Sequence, residues 1–342
     1  MAFYNVSARW NNYLFTSGLS RLARPFAPYM GALLMFHRVV VPDGLPRIRL
    51  NQTYEVTPDH LRTVIAFYRQ REFDFISLDD MIERLQKKEK SPRFVCFTFD
   101  DGYADTLTTA YPILKEEGIP FCIYLTTDFP DRKARFWWNI LEDTLLSRPE
   151  IHFSLDGKEH TIICNSLEEK ETAFQSICQI VLKAGCGVSA AWRAVFEPLS
   201  IDVESATQKL ALSWEQINTL GHDPLVTIGA HTCSHPPLAG LTEQEAQDEM
   251  QNSRQIIWEK TGLRAEHFAY PYGSPLEVTD REIKLASRLG FKTAATTNQG
   301  NVYAYHRNRL LQLPRININE SEGLQTLTLA ADGCIAQTIR RF

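Results

Sequence analysis

Two adjacent carboxylates, Asp100 and Asp101, end the run Arg93-Phe94-Val95-Cys96-Phe97-Thr98-Phe99, which otherwise reads as a buried strand. Carboxylates at the mouth of an apolar strand cost on the order of several kcal/mol in desolvation unless a cation, metal or donor set receives them. The chain offers a partner in His231-Thr232-Cys233-Ser234-His235, directly after the apolar run Val226-Thr227-Ile228-Gly229-Ala230. Two imidazoles four residues apart converge if the loop opens a helical turn. With one carboxylate they form a His₂Asp set, and three protein ligands with an open position are the catalytic rather than the structural arrangement for zinc. A divalent metal, Zn²⁺ first, is the expected cofactor, although the same ligands accommodate cobalt, nickel or iron. Cys233 lies two residues from each histidine and is expected to point away from them into the core. Taken alone, His-x-x-x-His is a weak signal, and Asp-Asp-Gly is equally a turn or a helix N-cap. Their joint placement at two strand ends is what specifies chemistry.

The elements around these residues alternate. Ala32 to Phe36, Phe75 to Leu78, Phe94 to Phe99, Phe121 to Thr126, Leu225 to Ala230, Phe268 to Tyr270, Thr293 to Thr296 and Leu313 to Asn317 read as strands. Helical periodicity runs over Thr57 to Arg69, Asp79 to Lys88, Thr106 to Glu117, Glu243 to Lys260 and Asp280 to Leu289, with Gly118, Gly262 and Gly290 as stops. A βαβα rhythm predicts an α/β fold with a parallel sheet or barrel, whose sites lie at the carboxyl ends of the strands. The rhythm breaks over about 130–212, where an aromatic cluster (Phe136, Trp137, Trp138), a hairpin about Asp156-Gly157 and two helical stretches around Gly185-Cys186-Gly187 predict an insertion, either a lid or a small subdomain. Ser213-Trp214-Glu215-Gln216 reads as a capping box, with Trp214 packed at a helix start.

The 342 residues, 44% hydrophobic and 23% charged, are enough for one large core. A formal net charge of −5 gives no reason to expect nucleic acid as a partner. Seven cysteines with no CxxC pair point to a reducing compartment. With neither a secretory signal pattern nor an apolar stretch of about 20 residues, the expected location is the cytoplasm. Residues 1–30 form an N-terminal helical segment ahead of the 31–342 domain, and there Trp10, Tyr13, Leu14, Leu19, Leu22 and Phe26 interleave with Arg9, Arg21 and Arg24. Such a helix covers a core or lies on the inner face of an anionic membrane.

Thr-Phe-Asp-Asp-Gly at 98–102, His-Thr-Cys-Ser-His at 231–235 and Phe-Ala-Tyr-Pro-Tyr-Gly at 268–273 resemble, in order and spacing, the first three motifs of the polysaccharide deacetylases, the carbohydrate esterase group (family four) that shares the NodB homology domain. The resemblance covers roughly 30–130 and 212–316. It implies a distorted (β/α)7 barrel with an inserted segment, and metal-dependent removal of an acyl group, usually acetyl, from an amino sugar. It implies Asp101, His231 and His235 as metal ligands, Asp100 as general base and the backbone N–H of Tyr272 as an oxyanion donor. Physically, a divalent ion acidifies its bound water, and an unligated carboxylate beside it takes the proton.

The chain departs from the pattern at Ala269, where many members carry an arginine that pairs with the base. Arg315, in Leu313-Pro314-Arg315-Ile316-Asn317, is the candidate replacement, since a guanidinium holds a carboxylate bidentately; the competing reading is a surface arginine. Neither Asp-x-x-Asp-Trp nor a C-terminal Leu-x-His is found, so the general acid is open. His306 sits in a polar stretch expected to be exposed. His37, at the end of the first strand, is a candidate to line the site or to be the acid, a role the metal-bound water or Asp100 can also fill. Trp137 and Trp138 either stack on a sugar face or a lipid, or anchor the insertion.

The expected substrate is an N-acylated sugar (nucleotide-linked, lipid-linked or an oligosaccharide), in particular an intracellular precursor of surface polysaccharide. Two rivals stand beside it: a carbohydrate-binding pseudoenzyme, suggested by the missing arginine and acid, and an amidase or deformylase of the same fold.

Overall fold

The apolar runs pair edge to edge in a computed structural model that describes residues 13–23, 27–87, 91–134, 136–155, 158–183, 195–199, 202–320 and 323–335. Seven strands matter for the site: β1 (Tyr29–Phe36), β2 (Phe94–Asp101), β3 (Phe121–Leu125), β4 (Val226–Ala230), β5 (His267–Ala269), β6 (Thr293–Gln299) and β7 (Leu313–Asn317). Each pairs in parallel with the next, and β7 and β2 both pair with β1, so the sheet closes into a barrel. This is the (β/α)7 barrel that the alternation and motifs predicted. Closure buries both faces of a strand: all eight positions of β2 are buried. Along β2, Val95, Phe97 and Phe99 join the core shared with the surrounding helices, while Phe94 and Cys96 join a second cluster with Leu33, Tyr124, Ala269, Ala295 and Leu313 inside the barrel.

Helices cover the outside: α1 (Pro58–Arg69), α2 (Leu78–Gln86), α3 (Tyr111–Glu116), α6 (Trp214–Gly221), α7 (Glu243–Thr261) and α8 (Asp280–Arg288), with α4 (Trp137–Ser147) and α5 (Leu167–Lys183) in the insertion. Capping boxes at Ser77–Asp80, Ser213–Gln216, Thr242–Glu245 and Thr279–Glu282 fix four of the starts. Two local expectations change. The stretch Phe75 to Leu78 keeps strand geometry only at Phe75, the end of the two-residue strand Asp74–Phe75, because Ser77 caps α2 and Leu78 is its first residue. The helix expected from Thr106 opens as a π-helical turn, Thr106–Ala110, ahead of α3.

Within 130–212, α4 (Trp137–Ser147), the antiparallel hairpin Glu150–Leu155 with Lys158–Ile163, and α5 (Leu167–Lys183) bury a core of their own that includes Trp137, Leu141, Phe153, Phe174 and Phe196. The hairpin tip Asp156-Gly157 and the Gly185-Cys186-Gly187 break lie outside the described residues. Glu142 fastens this unit to the barrel, accepting from the backbone N–H of Ile48 at 2.6 Å and from Asn51 Nδ2 at 2.8 Å. In the N-terminal segment Leu19–Ala23 is helical, and Trp10, Arg9, Arg24 and Phe26 lie outside the described residues. No helix among the described residues is long and apolar enough to cross a membrane. The six described cysteines are all unpaired.

Candidate active site

Strand alternation places Thr98 and Asp100 on the barrel-interior side of β2, in line with Phe94 and Cys96, and would send Asp101 outward with Phe99. Asp101 escapes that fate by leaving the extended region, with φ 74°. Gly102 follows at φ 95°, and a Cβ there would meet Leu125 Cδ1 at 2.5 Å, so only glycine fits the turn. The two neighbours thus face different partners.

Asp101 Oδ1 lies 3.6 Å from His231 Nε2 and 3.5 Å from His235 Nε2. These separations are too long for hydrogen bonds, and Oδ1 is buried with no hydrogen-bond partner. They suit atoms sharing one ion, since bonds near 2.0–2.1 Å in a tetrahedron separate ligand atoms by about 3.4 Å. The three residues offer ligand atoms within 4.8 Å of one another. Nδ1 of His231 meets the Ala269 carbonyl oxygen at 2.7 Å, and a proton placed there leaves the Nε2 lone pair aimed at Asp101. Burial lowers the pKa of His231, and of His235 still more, keeping both imidazoles neutral as ligands must be. Burial, then the Asp100 charge, drives the Asp101 carboxyl well above the usual carboxylate range, so its ionised form needs a cation beside it. The residues therefore fit a divalent ion. The histidines converge without the expected helical turn: Thr232 and His235 take φ of 65° and 60° instead. Cys233 is outside the cluster, with Sγ 3.7 Å from the Glu249 carbonyl oxygen.

Asp100 faces Arg315. Nη1 and Nη2 of the guanidinium donate to Oδ1 and Oδ2 at 2.6 and 2.8 Å, a bidentate pair. Arg315 is 0% exposed; Nε donates to the Thr296 carbonyl at 3.0 Å, Nη1 to Thr98 Oγ1 at 3.3 Å, and the group lies 5.6 Å from the Tyr124 ring centroid. The surface-arginine alternative is excluded. Alternation puts Arg315 on the same interior side as Leu313, and β1, paired with both β7 and β2, sets it close to Asp100; alongside, Ala295 opposes Leu313 and, after a register slip, Gln299 opposes Arg315. Burial alone would raise the Asp100 pKa, but Arg315 beside it brings the carboxyl down to about 2. The charge absent at Ala269 thus arrives from β7.

Beside this pair, His37 stands against Tyr54 with ring centroids 4.8 Å apart, and its buried Nδ1 has no hydrogen-bond partner. Burial outweighs the Asp100 charge and lowers its pKa to about 4. His306 is buried, not exposed: its Nδ1 accepts the Tyr303 N–H at 2.8 Å, a local fold contact.

A cleft of about 590 Å³ opens beside His235, lined by Trp137, Trp138 and Tyr272 among others. Trp137 is 4% exposed, with Nε1 3.4 Å from Tyr272 Oη. Trp138 donates from Nε1 to Tyr103 Oη at 3.1 Å and sits edge-on to His235 at 5.4 Å. The tryptophans therefore both anchor the insertion and wall the cleft. Tyr272 has φ 58° and its carbonyl accepts from Thr297 Oγ1 at 2.6 Å, which fixes the direction of its peptide unit. Sequence reasoning missed Thr98, Tyr54 and Tyr103; Thr98 was accessible, two residues before Asp100 on one face of a strand.

Known proteins are similar to this chain in sequence or in fold. A curated Bacillus subtilis (strain 168) protein, YxkH, named for polysaccharide deacetylases, is 23% identical over 231 residues, covering 66% of this chain and 54% of YxkH, so the chain spans about half the length of that relative. Among solved structures, the Streptococcus pyogenes deacetylase PplD in complex with acetate aligns with a TM-score of 0.58 at 18% identity, over 89% of this chain and 99% of that one. IcaB from Ammonifex degensii aligns at 0.55 and 18%, over 89% and 97%. At these identities the structures speak for the fold. The family model described as polysaccharide deacetylase matches residues 87–294, more than half the chain and the span from the carboxylate pair through both histidines and Tyr272. On that match the chain belongs to the polysaccharide deacetylase family.

Proposed function

We propose that this protein is a metal-dependent hydrolase that removes the N-acetyl group from an amino sugar. The observation that carries the reading is the division of labour at the end of β2: Asp101 with His231 and His235 on one side, Asp100 locked to Arg315 on the other. A divalent ion held by Asp101, His231 and His235 would supply a Lewis acid and an acidified water at that point. Asp100, kept ionised by Arg315, takes the proton from the water that attacks the amide carbon. The Tyr272 N–H donates to the oxygen on which negative charge develops. The C–N bond then breaks, and Asp100 returns the proton to the departing nitrogen, giving acetate and a free amine. His37, neutral above about pH 4, donates or accepts a hydrogen bond beside the reacting group and does not serve as an imidazolium acid. Trp138 and Trp137 wall the sugar subsite. The acetate bound by the S. pyogenes relative supports acetyl as the acyl group.

We place the substrate among nucleotide-linked, lipid-linked or oligosaccharide precursors of surface polysaccharide, handled in the cytoplasm at the inner membrane face. Leu14 and Phe15 of the N-terminal segment pack against the barrel's outer core, as a core-covering helix would, while Leu19 and Leu22, 42% and 70% exposed, support contact with that face. Zn²⁺ is the first choice of metal because His₂Asp with an open position suits it. The test incubates Zn²⁺-loaded protein with N-acetylated and N-formylated sugars of each class. Acetate and free amine released in equal amounts are expected; no release from any of them by fully loaded protein would reject deacetylation, and formate alone would redirect the reading to deformylation. His37→Ala is expected to reduce kcat/KM about 10-fold, mainly through KM. A kcat loss at the upper end of general-acid effects, about 10⁴-fold, would instead make His37 the proton donor.

A further inference from the structure

Glu249, on α7, stands outside every motif of the sequence analysis, yet its carboxylate is committed to the loop between the two histidines. Oε2 accepts the backbone N–H groups of Cys233 at 2.8 Å and Ser234 at 3.0 Å, and Oε1 accepts the Ser234 hydroxyl at 2.7 Å. That loop needs holding. Thr232 and His235 both have positive φ, and for β-branched Thr232 the left-handed region costs about 1–3 kcal/mol, tolerated only where the surroundings over-determine it.

Three other restraints act on the same loop. The Thr232 hydroxyl accepts the His235 N–H at 3.1 Å, while the N–H groups of Thr127 and Asp128, beyond β3, donate to the Thr232 and Cys233 carbonyls at 3.2 and 2.9 Å. The last two fix the carbonyl side of the loop to the barrel. Glu249 fixes the amide side, where two successive N–H groups converge on one carboxylate as they would on a bound anion. The segment gripped from both sides leads directly into His235, whose Nε2 must stay near Asp101 Oδ1, 3.5 Å away.

We propose that Glu249 is a positioning residue for the metal site: by clamping the amides of Cys233 and Ser234 it holds the left-handed turn that aims His235 at the ion. The inference rests on the metal reading above. Outer partners that orient a ligand change metal affinity by about 10–100-fold when removed. Alanine at 249 frees the two amides, whereas glutamine retains one oxygen acceptor and lies between.

The test uses the full chain with Zn²⁺ and Co²⁺ as probes and compares wild type, Glu249→Ala, Glu249→Gln and, as a control on the exposed side of the same helix, Glu259→Ala. Chelator competition gives affinities, the Co²⁺ d–d spectrum reports ligand geometry, and melting of the metal-free proteins reports the fold. Glu249→Ala is expected to weaken Zn²⁺ binding by about 10–100-fold and to alter the Co²⁺ spectrum, with Glu249→Gln intermediate and Glu259→Ala unchanged. Wild-type affinity and spectrum in a folded Glu249→Ala, or in Glu249→Gln where the alanine variant does not fold, would overturn the inference even if the melting temperature falls. A wild type that binds neither ion would remove the metal reading and this inference with it.

Discussion

Asp100→Asn is expected to slow hydrolysis by about 10²–10⁴-fold, the usual worth of a general base, while bound metal stays at the wild-type level. Asparagine cannot take the proton of the attacking water, yet Asp101, His231 and His235 are untouched. Arg315→Met should cost most of the same factor by another route. Without the guanidinium, burial governs Asp100 and pushes its carboxyl up, so the base spends more time protonated. Removing one partner of a buried ion pair also costs about 3–5 kcal/mol of stability. In the wild type the folded carboxyl sits at about 2 against an ordinary 3.8, so the pair's contribution is fully present above pH 3.8 and is lost as pH falls toward 2. The variant's deficit, measured on metal-free protein, should therefore be largest near neutrality and shrink in acid. Combining Asp100→Asn with Arg315→Met removes both charges and should recover stability over Arg315→Met alone while activity stays low. A single Arg315→Met variant with the wild-type rate would reject the role given to Arg315.

The carboxylate pair, the two histidines and the strands that carry them were legible because each obeys a short-range rule: apolar runs of strand length, polar residues at their ends, glycines at helix stops. The resemblance then assigned Asp101 as ligand and Asp100 as base, a distinction that spacing alone did not make and that the proposed function carries forward. What escaped was long-range or conformational. That Arg315 faces inward follows from its alternation with Leu313, but that it meets Asp100 depends on barrel closure through β1, which no local pattern encodes. The convergence of His231 and His235 through left-handed residues looked like a helical turn because i,i+4 spacing is the commoner route. His306 looked exposed because its neighbours are polar, yet it is buried, with the Tyr305 and Tyr303 rings beside it and its Nδ1 accepting the Tyr303 N–H. Glu249 was invisible because its partners are backbone amides, which carry no side-chain signature.

Asp101→Asn is expected to abolish stoichiometric metal binding and to lower activity by at least about 100-fold, beyond the range of outer-shell changes. The more discriminating result concerns stability. In the metal-free protein the Asp101 carboxyl is buried beside Asp100 and its pKa stands well above the unfolded value of 3.8. As pH rises past 3.8 the unfolded chain gives up this proton while the folded one keeps it, so this group's contribution to folding stability falls as pH rises through that window. Asparagine has no such titration. Metal-free Asp101→Asn should therefore match or exceed metal-free wild type at neutral pH, with the margin closing in acid. Zn²⁺ reverses the order. At 100 times its dissociation constant a ligand bound only by the folded state adds about 2.7 kcal/mol, which wild type gains and the variant does not. Thermal melts with and without Zn²⁺ should thus cross: the variant is the more stable apo protein and wild type the more stable holo protein. If Zn²⁺ raises both melting temperatures equally, Asp101 is not a ligand, because a buried carboxylate that costs stability when empty must return it when the cation arrives.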